Sequence, residues 1–528
     1  MTYYTNLTQF LDENVRTYPN RNAIIDGETV LSFRDLRERA IKLASLVSKK
    51  LTGNTKRVVA VFVPRGVDSI TADIAVSYSG NTYMNLDIKH PEQRFRNIFE
   101  SVHPDLLITQ RDIAGKILDI ATEKENIPVI YIDDIDSMPA LEKERENALL
   151  ALRDHCLDID LLCIINTSGS TGTPKGVALN HRGFIDLVQS EVNAQLLDDR
   201  LDVIACLAPL VFDHHSFEIC LMMMRASTLL IIPESFAAFP IRMLELMAKH
   251  QASFLFWVPT IMVNIANMDL LSKISLPSLR KVWFAGEVFP TAKFNYWRRH
   301  LPQAQFVNLY GPTEISVDCT YYVVKRELKD DEPIPIGQAL PNTEVFLLDE
   351  QNNIAAPGEE GEICVRGVCL SMGYYNNQEK TDAAFVQNPL NRTYPERLYR
   401  TGDIGILNDR GEILFRGRRD TLIKHMGYRI ELGEIENVIL GMLNNVRNCC
   451  VTYQHEEKKI VLFYEASEPI DDRELRERIG AILPRYMVPH IYRHIREMPR
   501  NNNGKIDRLK LRQSIEQDEK LLATECQS

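Results

Sequence analysis

Ile165-Asn-Thr-Ser-Gly-Ser-Thr-Gly-Thr-Pro-Lys-Gly-Val177 follows directly on the apolar run Leu161 to Ile165. Glycine lets a backbone approach an anion closely and adopt φ > 0, the serine and threonine hydroxyls add donors, and Lys175 supplies a positive charge. A strand that runs into such a loop is the phosphate-holding arrangement of an α/β sheet, where ligands sit beyond the carboxyl ends of the strands. The spacing is not that of the Walker loop, which places four residues between its glycines and follows the second with Lys and then Ser or Thr. Here Gly169 and Gly172 are separated by two residues, Thr173 and Pro174 precede the lysine, and Gly176 stands where the magnesium-binding hydroxyl belongs. A flexible Ser/Gly/Thr surface loop has the same composition, so the surrounding sequence has to decide.

Short β-rich runs alternate with helical periodicity on both sides of the loop. Arg57 to Val63, Leu161 to Ile165, Ala252 to Val258, Leu279 to Phe284 and Gln305 to Leu309 read as strands, and Gly183 to Leu197 and Ile241 to His250 as helices between them. This alternation predicts an α/β fold, with a large N-terminal domain of parallel-rich sheets flanked by helices. Glu142 to Arg153 reads as a charged surface helix. Beyond Thr401 the texture changes to turn-rich strands, Leu407 to Phe415, and then a charged run through Asp420. Helix-like Glu431 to Leu443 and the apolar runs Asn448 to Tyr453 and Lys459 to Tyr464 predict a small α+β domain from Asp420 onward. The expected division is 1–419 and 420–528.

With 528 residues the chain exceeds the size at which single cores stop growing, and its 45% hydrophobic and 25% charged residues are those of an ordinary folded protein. No apolar run reaches the ~18 residues of a membrane span, and Met-Thr-Tyr-Tyr-Thr-Asn lacks the basic and apolar regions of a signal peptide. A cytoplasmic enzyme without membrane attachment is expected. A net charge of −11 and no long basic block argue against nucleic acid as a partner. The ten cysteines contain no CxxC pair and read as reduced, mostly buried thiols.

Seven motifs then recur in one order: NTSGSTGTPKG (166–176), FDHHSFE (212–218), NLYGPTE (308–314), YRTGD (399–403), GRRDTLIKHMGYRIELGEIE (417–436), LPRYMVP (483–489) and NGKIDR (503–508). In these motifs the chain resembles the adenylate-forming, acyl-activating superfamily. Within it, the chain resembles the amino acid adenylation domains of nonribosomal peptide synthetases and the D-alanine–carrier protein ligases. The likeness runs from about Leu31 to Arg508.

The chemistry implied by the resemblance is attack of a carboxylate on the α-phosphate of ATP, leaving pyrophosphate and an acyl-adenylate. Two anions must meet, so catalysis of this kind consists mainly of positioning and of cations placed on developing charge. The resemblance implies that Lys505 bridges the substrate carboxylate and the phosphate oxygens as the catalytic residue. It also implies that Thr167, Ser168, Gly169, Ser170, Thr171, Gly172 and Lys175 hold the β- and γ-phosphates, that Thr313 also binds ATP, and that Glu314 binds Mg2+. Asn308 and Tyr310 correspond to residues that contact and stack on adenine. Asp403 corresponds to an acceptor for the ribose hydroxyls, assisted by Arg418. Without the flanking motifs, Glu314 reads as a helix-capping acid, and Asp403 and Arg418 as turn and surface residues.

Substrate type is read from Asp213. In the amino acid branch an Asp at this place pairs with the α-ammonium of the substrate; branches that activate aryl or fatty acids do not need it. The pocket positions implied by the resemblance are Asp213, His214, Phe217, Thr260, Trp283, Ala285, Leu309, Val317 and Asp318, closed by Lys505. Phe217 and Trp283 reduce volume, and Asp318 offers an acceptor for a hydroxyl or a cation. A small neutral, small polar or compact basic amino acid is expected. WVPT (257–260), AGEVFP (285–290) and the 423–436 segment are similar to the D-alanine ligase branch, whereas Trp283 and Ala285 depart from it. His214 and His215, adjacent on a helix, face different directions and are not expected to ligate one metal.

The second half-reaction implied is transfer of the acyl group to a thiol, with a hinge at Asp420 and a loop at Lys424 to Arg429. Gly427 lets a phosphopantetheine arm pass closely. The segment after Arg508 carries no Ser attachment motif, so a phosphopantetheinylated carrier protein in trans, or coenzyme A, is the expected acceptor. Two other classes stay open at this point: an acyl- or aryl-CoA ligase, and an ATP-binding regulatory relative without turnover.

Overall fold

The computed structural model describes residues 3–123, 127–167, 174–199, 202–418, 422–443, 445–499, 506–508 and 510–515. The chain forms two compact units, one of Met1–Ile88, Val102–Asn166 and Gly176–Arg419, the other of Lys89–Ser101, Thr167–Lys175 and Asp420–Ser528.

The first unit is built on two large sheets. A nine-stranded sheet has six neighbouring parallel strands, in spatial order Gln305–Tyr310, Lys281–Phe284, Phe254–Trp257, Val203–Cys206, Thr228–Ile231 and Asn22–Asp26. Antiparallel strands close both edges. A seven-stranded sheet centres on Val58–Phe62, Thr82–Asn85 and Leu161–Thr167. The sequence VVAVF of Val58–Phe62 is buried at every position, the continuous apolar run of a strand covered on both faces. The largest core cluster joins Val59 and Val61 of this sheet to Ile204, Phe254 and Val307 of the other. The helix Asp213–Arg225 belongs to the same core and is buried from His214 through Met223, as expected of an element packed on all sides. A five-stranded antiparallel sheet of Thr343–Leu348, Glu360–Gly367, Arg397–Leu407, Phe385–Gln387 and Ile413–Arg418 completes the unit.

The expected strands are present with edges shifted by one or two residues, as Val58–Phe62, Leu161–Thr167, Phe254–Trp257, Lys281–Phe284 and Gln305–Tyr310. The helices fall at His181–Asn193 and Pro240–Lys249. The Asn180 side chain accepts from Gly183 N at 2.9 Å and fixes the start of the first. The second carries Pro240 at its first position, where no backbone donor is needed.

In the second unit a hairpin, Leu422–His425 with Tyr428–Glu431, precedes the helix Leu432–Met442 and a three-stranded sheet of Val446–Gln454, Lys459–Ala466 and Ile491–Ile495. Arg94 and Glu434 pair at 2.5 Å with side chains 4% and 0% exposed. Removal of either partner leaves a buried, uncompensated charge. Every cysteine among the described residues is free and buried, as the absence of paired spacing suggests. No helix among the described residues is long and apolar enough to cross a membrane.

Candidate active site

The parallel strands of the nine-stranded sheet end on one edge, and the candidate residues of the first unit follow from that edge. Asn308, Leu309 and Tyr310 finish the strand Gln305–Tyr310; Trp283 lies in Lys281–Phe284 and Ala285 follows it. Thr260 opens the helix after Phe254–Trp257, and Asp213 opens the helix after Val203–Cys206. The site therefore forms by chain reversal at strand ends, the expected location for a ligand in an open parallel sheet.

Asp403 is the centre of a buried polar group. It lies directly across from Arg418 on neighbouring antiparallel strands. Its Oδ1 accepts from Arg418 Nη1 at 2.6 Å and its Oδ2 from the Tyr310 hydroxyl at 2.5 Å. Arg418 Nη2 also donates to Thr401 O at 2.8 Å, and Asp403 N to the Thr401 hydroxyl at 2.9 Å. Burial, then the negative charge of Asp403, raises the Tyr310 phenol well above its ordinary value, so it stays a neutral donor. Three residues taken from three motifs are thus locked in one geometry. Asn308 donates to Pro335 O at 2.7 Å, which fixes the amide at the end of the same strand.

Beyond Tyr310 the chain makes a tight excursion. Thr313–Ile315 form one 3-10 turn, Ser316 and Val317 adopt φ of 56° and 78°, and Cys319 N returns to Tyr310 O at 2.8 Å. A β-branched residue at positive φ is a strained position of the kind found at ligand sites. Gly311 makes the excursion possible: a Cβ there would lie 2.2 Å from Val317 O and 2.6 Å from Asp318 Cα. Because both obstacles are backbone, Gly311→Ala is expected to cost about 1–3 kcal/mol and to raise the KM for the acid substrate. Denaturant melts and exchange kinetics on the variant measure the two effects.

Glu314 is 1% exposed and its Oε1 accepts from the Tyr374 hydroxyl at 2.7 Å. A buried, oriented carboxylate oxygen is a hard donor and fits Mg2+, which takes one or two carboxylates and fills its shell with phosphate oxygens and water.

Three of the candidate pocket residues, Asp213, His214 and Phe217, lie on one helix, Asp213–Arg225. Asp213 is its first residue and Oδ1 accepts from His214 N at 2.8 Å, so the carboxylate sits at the positive end of the helix. The His214 ring lies 4.0 Å from that of Phe256, and Phe217 stacks on Trp283 at 6.5 Å. Phe217 and Trp283 are completely buried, and the Trp283 indole N–H has no acceptor among the described residues. Thr260 donates from both its backbone N and its hydroxyl to Glu287 Oε2, at 2.9 and 2.5 Å.

The two adjacent histidines do not point apart as expected: His214 Nε2 approaches Glu218 Oε1 at 3.9 Å, and His215 approaches the same acid. His215 turns to Asp73, Nε2 to Oδ2 3.3 Å, while its ligating atom also falls within 4.8 Å of Cys206 and Glu218. Cys206 donates to Glu218 at 2.8 Å. Burial pushes His181 down to about 4 and, with the adjacent His215, His214 down to about 3. Burial pushes Glu218 up to about 7. The unfolded histidines take up protons below their ordinary 6.5 while the folded ones do not, so each loses stability as pH falls from there. Glu218 acts in the opposite sense between 4.5 and 7. Folding stability from these groups is therefore expected to level off near pH 7 and to fall by about 1.4 kcal/mol per unit between roughly pH 5.5 and pH 4.5. Urea melts across that range check the slope.

Thr167 ends its strand and its hydroxyl donates to Lys175 O at 3.4 Å. Ser168, Gly169, Ser170, Thr171 and Gly172, with Asp420 and Lys505, lie outside the described residues. In the second unit Lys424 pairs with Arg429 across a hairpin whose turn residues, Met426 and Gly427, both have positive φ, 52° and 83°. Arg508 of the NGKIDR motif donates to Glu436 at 2.6 Å and to Val451 O at 3.1 Å, which anchors the chain three residues beyond Lys505.

Sequence reasoning missed Glu287, Tyr374 and the fully buried Glu191. Glu287 lies inside AGEVFP, which is the available signal, whereas Tyr374 lies outside all seven motifs. Glu191 has no such signal, being one acid on an amphipathic helix.

Known proteins share both the sequence pattern and the fold. The family model for AMP-binding enzyme matches residues 11–375. Tyrocidine synthase 2 of Brevibacillus parabrevis is 31% identical over 95% of this chain, which spans only 13% of that protein's length. Zwittermicin A synthase ZmaJ of Bacillus cereus is 29% identical over 96% of this chain and 94% of its own. The Vibrio cholerae adenylation domain AlmE, solved with glycyl-adenosine-5'-phosphate, has the same fold, with a TM-score of 0.82 at 21% identity over 98% of this chain and 99% of that one. The chain belongs to the AMP-binding enzyme family, the adenylate-forming ligases.

Proposed function

We propose that this protein activates an amino acid with ATP and passes it to the phosphopantetheine thiol of a carrier protein. The amino acid carboxylate attacks the α-phosphate, the bond to the β-phosphate breaks, and pyrophosphate leaves. The thiol then attacks the acyl carbon and AMP leaves with its electron pair. Asp403 accepts from the ribose hydroxyls, held by Arg418 and Tyr310 so that it need not reorient when the nucleotide binds. Asn308 meets the adenine edge. Glu314 would hold Mg2+, which would supply positive charge to the phosphate oxygens. Lys505 places its ammonium between the carboxylate and the α-phosphate, and the Thr167 to Lys175 loop covers the outgoing phosphates. The alternation of half-reactions is assigned to a turn of residues 420–528 about Asp420, with Lys424 and Gly427 serving the thiol step.

The observation that carries the amino acid reading is Asp213, a carboxylate at the head of a buried helix beside an aromatic pocket. A fatty or aryl acid has no cation to meet it. ATP–pyrophosphate exchange with panels of amino, fatty and aryl acids tests the reading. Exchange is expected with an amino acid; exchange confined to fatty or aryl acids would sink it.

A further inference from the structure

The strand Val203–Cys206 and the Asp213 helix bring together three buried side chains that the proposed reaction does not use. Cys206 ends the strand, and His215 and Glu218 lie one turn apart on the helix. They are 1%, 1% and 0% exposed, and one ligand atom from each lies within 4.8 Å of the others.

His215 is presented as a ligand. Its Nε2 meets Asp73 Oδ2 at 3.3 Å, and the same oxygen accepts from Asn85 Nδ2 at 2.9 Å, so the ring is oriented by a fixed carboxylate. With Nε2 carrying the proton of that bond, Nδ1 keeps its lone pair, and it has no hydrogen-bond partner among the described residues. A carboxylate on the far nitrogen is the usual support of a metal-binding histidine. Glu218 Oε1 is likewise without a partner among the described residues. Unpaired polar atoms at this depth are costly, and one cation satisfies them together.

The donor set selects the ion. A thiolate, an imidazole and one carboxylate suit Zn2+, whereas Mg2+ and Ca2+ take oxygen ligands. Tetrahedral bonds of about 2.0–2.3 Å put ligand atoms roughly 3.3–3.8 Å apart, so shifts of up to about 1 Å close the cluster on an ion. Charge balances as well. The Cys206 thiolate, Glu218 and Asp73 bring three negative charges; a divalent ion and Arg65, whose Nη2 donates to Cys206 Sγ at 3.4 Å, bring three positive ones.

We infer that Cys206, His215 and Glu218 form a Zn2+ site that clamps the end of the strand to the helix carrying Asp213, with Asp73 as the positioning carboxylate behind His215. Without the ion, the Cys206 thiol donates to Glu218 Oε2 at 2.8 Å; on binding, that proton leaves to solvent and the sulfur bonds the ion. Three protein ligands leave the fourth position of a tetrahedral ion to water. The site stands whichever acid the enzyme activates.

The test uses the full chain purified from zinc-supplemented culture, with metal content by mass spectrometry and cobalt substitution as readouts. One Zn2+ per chain is expected, undisplaced by a large excess of Mg2+, and Co2+ in its place is expected to show a thiolate-to-metal charge-transfer band. Cys206→Ser is expected to remove the band, and Cys206→Ser, His215→Gln and Glu218→Gln each to lower Zn2+ affinity about 100-fold or more. Asp73→Asn is expected to keep the band and lose about 10- to 100-fold in affinity. Chelation is expected to lower the denaturation midpoint of the wild-type chain and to leave that of Cys206→Ser unchanged. A wild-type chain without stoichiometric Zn2+, or a Co2+ band that survives Cys206→Ser, overturns the site. Should one variant fail to fold, the wild-type stoichiometry and the remaining variants still decide.

Discussion

Asp403→Ala is expected to cost about 3–5 kcal/mol of folding stability and to abolish measurable nucleotide-dependent exchange. The stability loss follows from what remains: Arg418, with its side chain 11% exposed, would keep its charge without the carboxylate that balances it. The Tyr310 hydroxyl loses this acceptor in the same step. Against a total of about 5–15 kcal/mol for a typical domain, the loss is readily seen as a lowered denaturation midpoint. The two effects separate in a double variant. Asp403→Ala with Arg418→Met removes both charges, and an apolar replacement of a buried pair is close to neutral. Stability is expected to return while exchange stays absent. Recovery of exchange in the double variant would show that Asp403 serves the fold and not the ribose.

The second large effect is expected at Asp213. Asp213→Ala removes the carboxylate proposed to pair with the α-ammonium and leaves that cation in a pocket walled by His214, Phe217 and Trp283. Losing one side of a desolvated pair costs about 3–5 kcal/mol, or roughly 100- to 5,000-fold in kcat/KM for the amino acid. The affinity for ATP is expected to stay the same. Asp213 is only partly buried, and one of its hydrogen bonds comes from the next residue's own backbone. Its removal is therefore expected to cost much less stability than Asp403→Ala. Steady-state exchange with each substrate varied in turn gives both values.

Much of this architecture is legible in the chain because its signals are local. Val58–Phe62 is apolar throughout and can only be a central strand. The helix boundaries at Asn180 and Pro240 are set by residues whose own chemistry caps or starts a helix. What escapes notice is non-local. Gly373–Tyr374 is a two-residue strand that pairs with Lys175–Asn180 nearly two hundred residues earlier, and it carries the Tyr374 hydroxyl to Glu314. Pattern cannot reveal a pairing so short and so distant. Asp403 and Arg418 are separable from ordinary turn and surface residues only by their flanking motifs, and the strand register then sets them opposite each other. Glu191 is hidden for another reason: on a helix with alternating polar residues, an acid reads as a solvated face. Only its burial and the absence of a donor mark it.

The central claim is that a carboxylate oxygen of the substrate is joined to the α-phosphorus of ATP. The most direct measurement uses an amino acid labelled with oxygen-18 in its carboxylate, incubated with ATP, the protein and a thiol acceptor, followed by mass spectrometry of the nucleotide. AMP bearing one label is the predicted result, since the bridging oxygen leaves with the phosphate when the thiol takes the acyl group. Unlabelled AMP, or ADP with labelled inorganic phosphate, would contradict it.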